Sequence, residues 1–195
     1  MSKQQQLLDA ALHLFASQGV QATTTASIAQ QAKVANGTLF HHFPTKQVLV
    51  DTLYLHAKQS LAAAMTEAQP SPSLQTRLWQ FWQSALDWAA RHPAQLQLMQ
   101  QLSHDPHTPI SHHQDLIETT MGFLSHAIEQ GQQQGKLAPL PMPLVLHFCH
   151  HHYLATAKLF AEYPERAQQP SYRQGAFQIL WQGLQPTPQM IEMAD

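Results

Sequence analysis

Between Thr24 and Lys46 the chain reads TTASIAQQAKVANGTLFHHFPTK, and spacing divides these residues into two sets. Ile28, Ala29 and Ala32, then Leu39 and Phe43, recur at helical spacing and give two short helices one apolar side each. Thr24 can cap the first of them, and Thr25, Ala26, Ser27, Asn36, Gly37, Thr38, Phe40 and His41 are left facing outward. That outward set carries no charge and is mostly small, with hydroxyl and amide groups. Such a surface suits a helix lying in the major groove of DNA, where acidic groups would be repelled by phosphate and bulky ones would meet the groove floor. Asn36 and Thr38 are the expected base readers, because an asparagine amide can hold adenine through two hydrogen bonds. Thr24, Thr25, Phe40, His41 and Lys46 are expected on the phosphate side, and Gly37 lets backbone come close.

Histidine offers a second chemistry. The chain holds 14 of them, and in the run His147-Phe-Cys-His150-His151-His152 the first and third are four apart, with His150 between. That spacing could hold zinc from a single helix. No Asp or Glu lies in that turn and histidines are spread through the whole chain. No metal and no cofactor are therefore expected. The expected role is polar contact at a seam between subunits, making dimer stability respond to pH near about 6.5, which gel filtration on either side of that value would show. Two rival readings remain: a metal-dependent helical enzyme built on His104, His112, His113 and His147–His152, and a helical interaction protein without DNA binding. The sequence contains no P-loop, nucleophile elbow or paired catalytic carboxylates.

Two helices as short as those around residues 28 and 39 cannot hold themselves together and need a third to pack on. Lys3 to Gln18 supplies it, with Leu7, Ala11, Leu14 and Phe15 as its stripe and Gly19 as its stop. After Pro44, with Thr45 as cap, a long helix is expected to about Ala68 on a face of Leu49, Leu53, His56/Ala57, Ser60/Leu61 and Ala64. A helix of that length carries movement at its far end to the reading head. Lys46 in its first turn opposes the helix dipole, so the charge makes more sense aimed at phosphate than as a stabilising group. Further helices are expected over 74–90, 94–103, 110–134, 144–163 and 172–184, about nine in all.

Composition agrees with an all-α chain. Apolar residues make up 44%, and 13 prolines fall in clusters between Ala-, Leu- and Gln-rich segments. The net charge of −2 is unevenly spread: residues 1–50 carry three lysines against one aspartate, and the remainder carries seven basic against eleven acidic groups. Only the N-terminal block suits a phosphate backbone. With so few lysines, each worth about 0.9 in the salt slope, a single copy would bind weakly and two copies are expected to act together. No signal peptide or membrane span is expected, and the single Cys149 fits a reducing cytoplasm.

The run LLDAALHLFASQGVQATTTASIAQQAKVANGTLFHHFPTKQVLV resembles the DNA-binding domain of the TetR/AcrR-type transcriptional regulators over about the first 50 positions. The likeness rests on the Ala-X3-Phe close of the first helix, Gly19, the threonine run, Ile28-Ala29, Gly37-Thr38-Leu39, His42-Phe43 and Lys46. The chain departs from that pattern at Lys33 (usually Gly), Ala35 (usually Ser) and Phe40 (commonly Tyr). Lys33 must then take a left-handed conformation and Asn36 must do the capping, while Phe40 has no hydroxyl to give a phosphate. The resemblance implies a helix-turn-helix domain over residues 1–48, joined by a helix from 46 to a ligand-binding and dimerisation bundle over 49–186, with a tail over 187–195. It implies a repressor that binds a palindromic operator as a homodimer and is released by a small hydrophobic effector.

Expected pocket residues are His56, Gln59, Trp82, Met99, His104, Thr120 and Phe123, although Met and aromatic residues at helical spacing are also what ordinary core looks like. Expected seam residues are His147, His151, Leu154, Phe177, Leu180, Trp181 and Leu184. The last two helices present more apolar surface than a peripheral pair needs, and a partner usually covers such surface.

Overall fold

A computed structural model describes residues 2–66, 73–103 and 110–186, with the backbone alone described over 110–118. These residues form ten helices: α1 (Lys3–Gln18), α2 (Thr25–Gln31), α3 (Asn36–His42), α4 (Lys46–Thr66), α5 (Leu74–Arg91), α6 (Pro93–Ser103), α7 (Ile110–Gln133), α8 (Met142–Glu162), α9 (Pro164–Ala167) and α10 (Pro170–Leu184). The helix beyond the nine expected is α9, a single turn that Pro164 starts after Tyr163 leaves helical geometry. No described helix is long and apolar enough to cross a membrane.

The chain divides into two compact units, Met1–Ser60 with His92–Pro109 and Leu61–Arg91 with Ile110–Asp195. The first unit is discontinuous in sequence and contains the whole of the 1–48 block that the resemblance implies. Its core joins Leu7, Leu8, Ala11, Leu14 and Phe15 of α1 to Ile28, Leu39, Phe43 and Leu49, and α6 adds Leu96, Leu98, Met99 and Leu102. α6 packs on α1, so a fourth helix joins the three that the sequence suggested.

Local signals explain the element ends. The Ser2 hydroxyl accepts from Gln5 N–H at 3.1 Å, and α1 ends at Gly19, whose φ of 89° is a conformation that side chains disfavour. Thr45 Oγ1 accepts from Val48 N–H at 3.2 Å and so caps α4 as expected. The buried side of α4 is Val50, Leu53, Tyr54, Ala57, Lys58, Leu61, Ala62 and Met65, with Leu49 beside it. This corrects the expected face at His56, which is exposed, as is Gln59, a residue expected in the pocket, while Lys58 is 1% exposed with its amine 5.4 Å from the centre of the Tyr54 ring.

In the second unit α5, α7, α8 and α10 pack together. Trp82, Trp88, Leu86, Ile128, Tyr153, Leu154, Phe160, Phe177, Trp181 and Leu184 fill its interior. Tyr153 Oη donates to Ala85 O at 3.2 Å and Arg173 meets Asp87 at 2.7 Å, tying α8 and α10 to α5. α7 bends at Met121, whose φ of −121° and ψ of 26° leave helical geometry.

Leu154, Phe177, Trp181 and Leu184, expected at a subunit seam, are instead part of this core. Their periodicity faces α5: Phe177 meets Trp79 edge-on at 5.0 Å and Trp181 stacks on Phe177 at 6.4 Å. The apolar residues left outside are Leu144 and Phe148 on α8 and Ile179 on α10, the latter two 63% and 67% exposed.

Candidate nucleic-acid interface

The interface is built by α2, the turn after it, and α3. Thr24 caps α2: its Oγ1 accepts from Ser27 N–H at 3.1 Å, and Ser27 Oγ donates back to Thr24 O at 2.8 Å. Thr23 lies buried beneath, donating to Gly19 O at 2.8 Å, so the loop entering α2 is fixed at both ends. The turn closes through Lys33 N–H to Gln30 O at 3.1 Å and Val34 N–H to Ala29 O at 3.0 Å. Lys33 takes φ 55°, the left-handed conformation expected of it.

α3 starts without a side-chain cap. Ala35 occupies the cap position in extended geometry and Asn36 is the first helical residue, so the expected capping by Asn36 does not occur. From the first helical position an asparagine side chain points away from the free N–H groups behind it. The Asn36 side chain stays exposed.

Leu39 and Phe43 anchor α3 inward at 0% and 2% exposure. Outward stand Asn36, Gly37, Phe40 and His41, all exposed, with Thr38 half-buried beside them. Phe40 is 44% exposed, unusual for a ring that costs free energy in water. On α2, Thr24 and Ala26 are exposed and Thr25 is half-buried. A Cβ added at Gly37 would meet no atom of the chain within 4 Å. The fold itself thus imposes no need for glycine there.

Lys46 has a role within the fold. Its Nζ donates to Gln21 O at 3.4 Å, bridging the start of α4 to the loop before α2, and partial burial lowers its pKa from the ordinary lysine value.

The element that holds this pair from behind was not singled out in the sequence. Gln101 on α6 accepts from Val20 N–H at 3.0 Å through Oε1 and donates to Phe15 O at 2.9 Å through Nε2. One amide thereby fixes both the end of α1 and the loop that leads to α2. Nothing distinguishes Gln101 from the many other glutamines except its place between Met99 and Leu102. Gln101→Ala takes the partner from the partly buried Val20 N–H and one of two donors from Phe15 O, which Gly19 N–H also reaches at 3.0 Å, and is expected to cost about 1–3 kcal/mol in urea denaturation. An unchanged midpoint would show the clamp to be incidental.

The expected pocket residues fall in both units. Met99 is core of the first, while Trp82, Thr120 and Phe123 belong to the second. His104 lies outside the described residues, as do the side chains of His112 and His113. In the second unit Phe81 and Phe123 pair edge-on at 5.1 Å, joining α5 to α7. The Trp82 Nε1–H is buried and has no hydrogen-bond partner among the described residues. A groove of about 410 Å³ in the first unit, lined by Gln18 to Ala22 with Gln101 and Leu102, includes none of the expected pocket residues.

A family model described as "Bacterial regulatory proteins, tetR family" matches residues 7–53, the segment that contains α2 and α3. The chain is 46% identical over 48 residues to the HTH-type transcriptional repressor KstR2 of Rhodococcus jostii, a match spanning 25% of this chain and 24% of that one. A crystal structure of a tetR family transcription regulator from Shewanella sp. PV-4 superposes with a TM-score of 0.91 at 38% identity, covering 96% of this chain and 100% of the other. A regulator from Marinobacter aquaeolei VT8, at 19% identity and a TM-score of 0.79, shares the fold. Likeness of this degree over nearly the full length of both chains, with the helix-turn-helix at its head, places the chain in the tetR family of bacterial regulatory proteins, DNA-binding regulators of transcription.

Proposed function

We propose that the protein is a repressor that binds a palindromic operator as a homodimer, one α3 per half-site, and leaves when a small apolar effector enters its second unit. The observation that carries this reading is the two-sidedness of α3: Leu39 is fully buried, and directly outward stand Asn36, Gly37, Thr38, Phe40 and His41 with no charge among them. Asn36 and Thr38 read base edges, and Thr24, Thr25, Ala26, Phe40 and His41 lie against the backbone. Lys46 contributes by giving up the Gln21 carbonyl for a phosphate oxygen, an exchange of a neutral acceptor for a charged one.

The homodimer is supported by Leu144, Phe148 and Ile179, exposed apolar side chains on two helices that are otherwise satisfied by their own core. Two copies related by a two-fold axis set their α3 helices about one DNA turn apart, which matches a palindrome. The effector reading rests on Trp82, whose indole N–H asks for an acceptor in an apolar, aromatic interior.

Selection of random duplexes on the purified protein tests the proposal. The expected product is an inverted repeat with half-sites centred about 10 base pairs apart or slightly more. Recovery of no common sequence, or of a single unrepeated half-site, contradicts it.

A further inference from the structure

The run from His147 to His152 separates in the structure into inward and outward members. His152 serves the fold: its ring nitrogen meets Ala176 O at 2.8 Å and its ring stacks on Trp82 at 5.3 Å. His147 and His151 lie one turn apart with ring centres 4.3 Å from each other. His147 is exposed and His151 half-buried, on the side of α8 that also carries the exposed Leu144 and Phe148.

We propose that His147 and His151 of two copies together form a four-imidazole site for a divalent metal of the zinc class, centred on the dimer axis. The inference rests on the homodimer reading above. Each chain supplies half of it, since among the described residues no group of three or more His, Cys, Asp or Glu could hold a metal within one chain. A closed structural zinc site takes four protein ligands, and an isologous interface duplicates every patch across its axis, so a two-ligand patch near that axis becomes a four-ligand one.

The distances are suitable. Tetrahedral zinc with bonds of about 2.0–2.1 Å sets neighbouring nitrogens about 3.3 Å apart, and residues i and i+4 on a helix meet that by side-chain rotation. A ligand set of imidazoles alone suits zinc, copper or nickel and gives magnesium or calcium little. Each ring keeps its second nitrogen for a hydrogen bond. Leu144 and Phe148, exposed on the same side of α8 as the pair, add apolar surface that a second copy would cover.

The test uses the full chain without a histidine tag, stripped of metal, titrated with zinc chloride by calorimetry and followed in parallel by sedimentation. The expected result is one high-affinity zinc per two chains and a dimer dissociation constant lowered about tenfold or more by zinc. His147→Ala and His151→Ala should each remove that ion, and His147→Gln should do the same where the alanine variant misfolds. Weaker binding at other histidines would survive in all three variants. No tight zinc, one tight zinc per chain, or full retention in the His147 variants overturns the shared site. A dimer that takes up no zinc defeats this inference alone, whereas a monomer at all zinc concentrations defeats the dimer reading with it.

Discussion

Thr38→Trp is expected to lower duplex affinity by about 100-fold or more, because both half-sites of a dimer lose contacts worth about 1–3 kcal/mol each and gain an indole where the groove floor should be. The folded protein should scarcely notice. Thr38 is half-buried at the outer side of α3, and its structural duty, the N–H bond to Ala35 O at 2.9 Å, belongs to the backbone. Fluorescence anisotropy with a selected duplex measures the first effect, and a melting curve and sedimentation check the second. A variant that unfolds would place Thr38 in the core, and one that binds as tightly as the parent would take α3 out of the groove.

The second large effect comes from Lys58. Its side chain is 1% exposed beside the Tyr54 ring, and burial pulls its pKa down to about 7. In the unfolded chain a lysine keeps its proton up to about 10.4. Between these values the unfolded state holds more protons than the folded one, so stability rises as pH increases from about 7 towards 10 and is level below that window. Lys58→Met fills similar space without a group to desolvate. Removing the titrating group is expected to flatten the rise across the window, which for one group is at most about 1.4 kcal/mol per pH unit. Urea denaturation of both proteins at several pH values checks this. An undiminished slope in the variant would mean that another group supplies the pH dependence.

Lys58 also shows why part of the fold was hard to read from sequence. The buried side of α4 follows 50, 53, 54, 57, 58, 61, 62 and 65, an unbroken helical stripe. A lysine in its middle makes that stripe look interrupted, and a rotated face through His56 and Ser60 then fits the pattern better. The helix-turn-helix had no such obstacle. Thr24, Thr45 and Gly19 act locally, through caps and a positive φ, and local rules depend on nothing distant.

The seam residues illustrate the opposite case. Phe177 and Trp181 carried the apolar surplus of α10, but periodicity cannot say whether the neighbour that covers a stripe is α5 or a second copy. In the structure it is α5, and the large apolar side chains left exposed on α8 and α10 are Leu144, Phe148 and Ile179. Gln101 was illegible for another reason. Its importance comes from two contacts more than eighty residues away, to Phe15 and Val20, which no spacing rule foretells.

The claim on which the account depends is that two copies of α3 enter the major groove on one face of a duplex. Methylation interference at guanine N7 on a selected operator measures that directly, since N7 lines the major groove. Two blocks of interference are expected, one per half-site, centred about 10 base pairs apart or slightly more on the same face, and both lost with Thr38→Trp. Interference at one block only, or binding indifferent to methylation at every guanine of both half-sites, would contradict it.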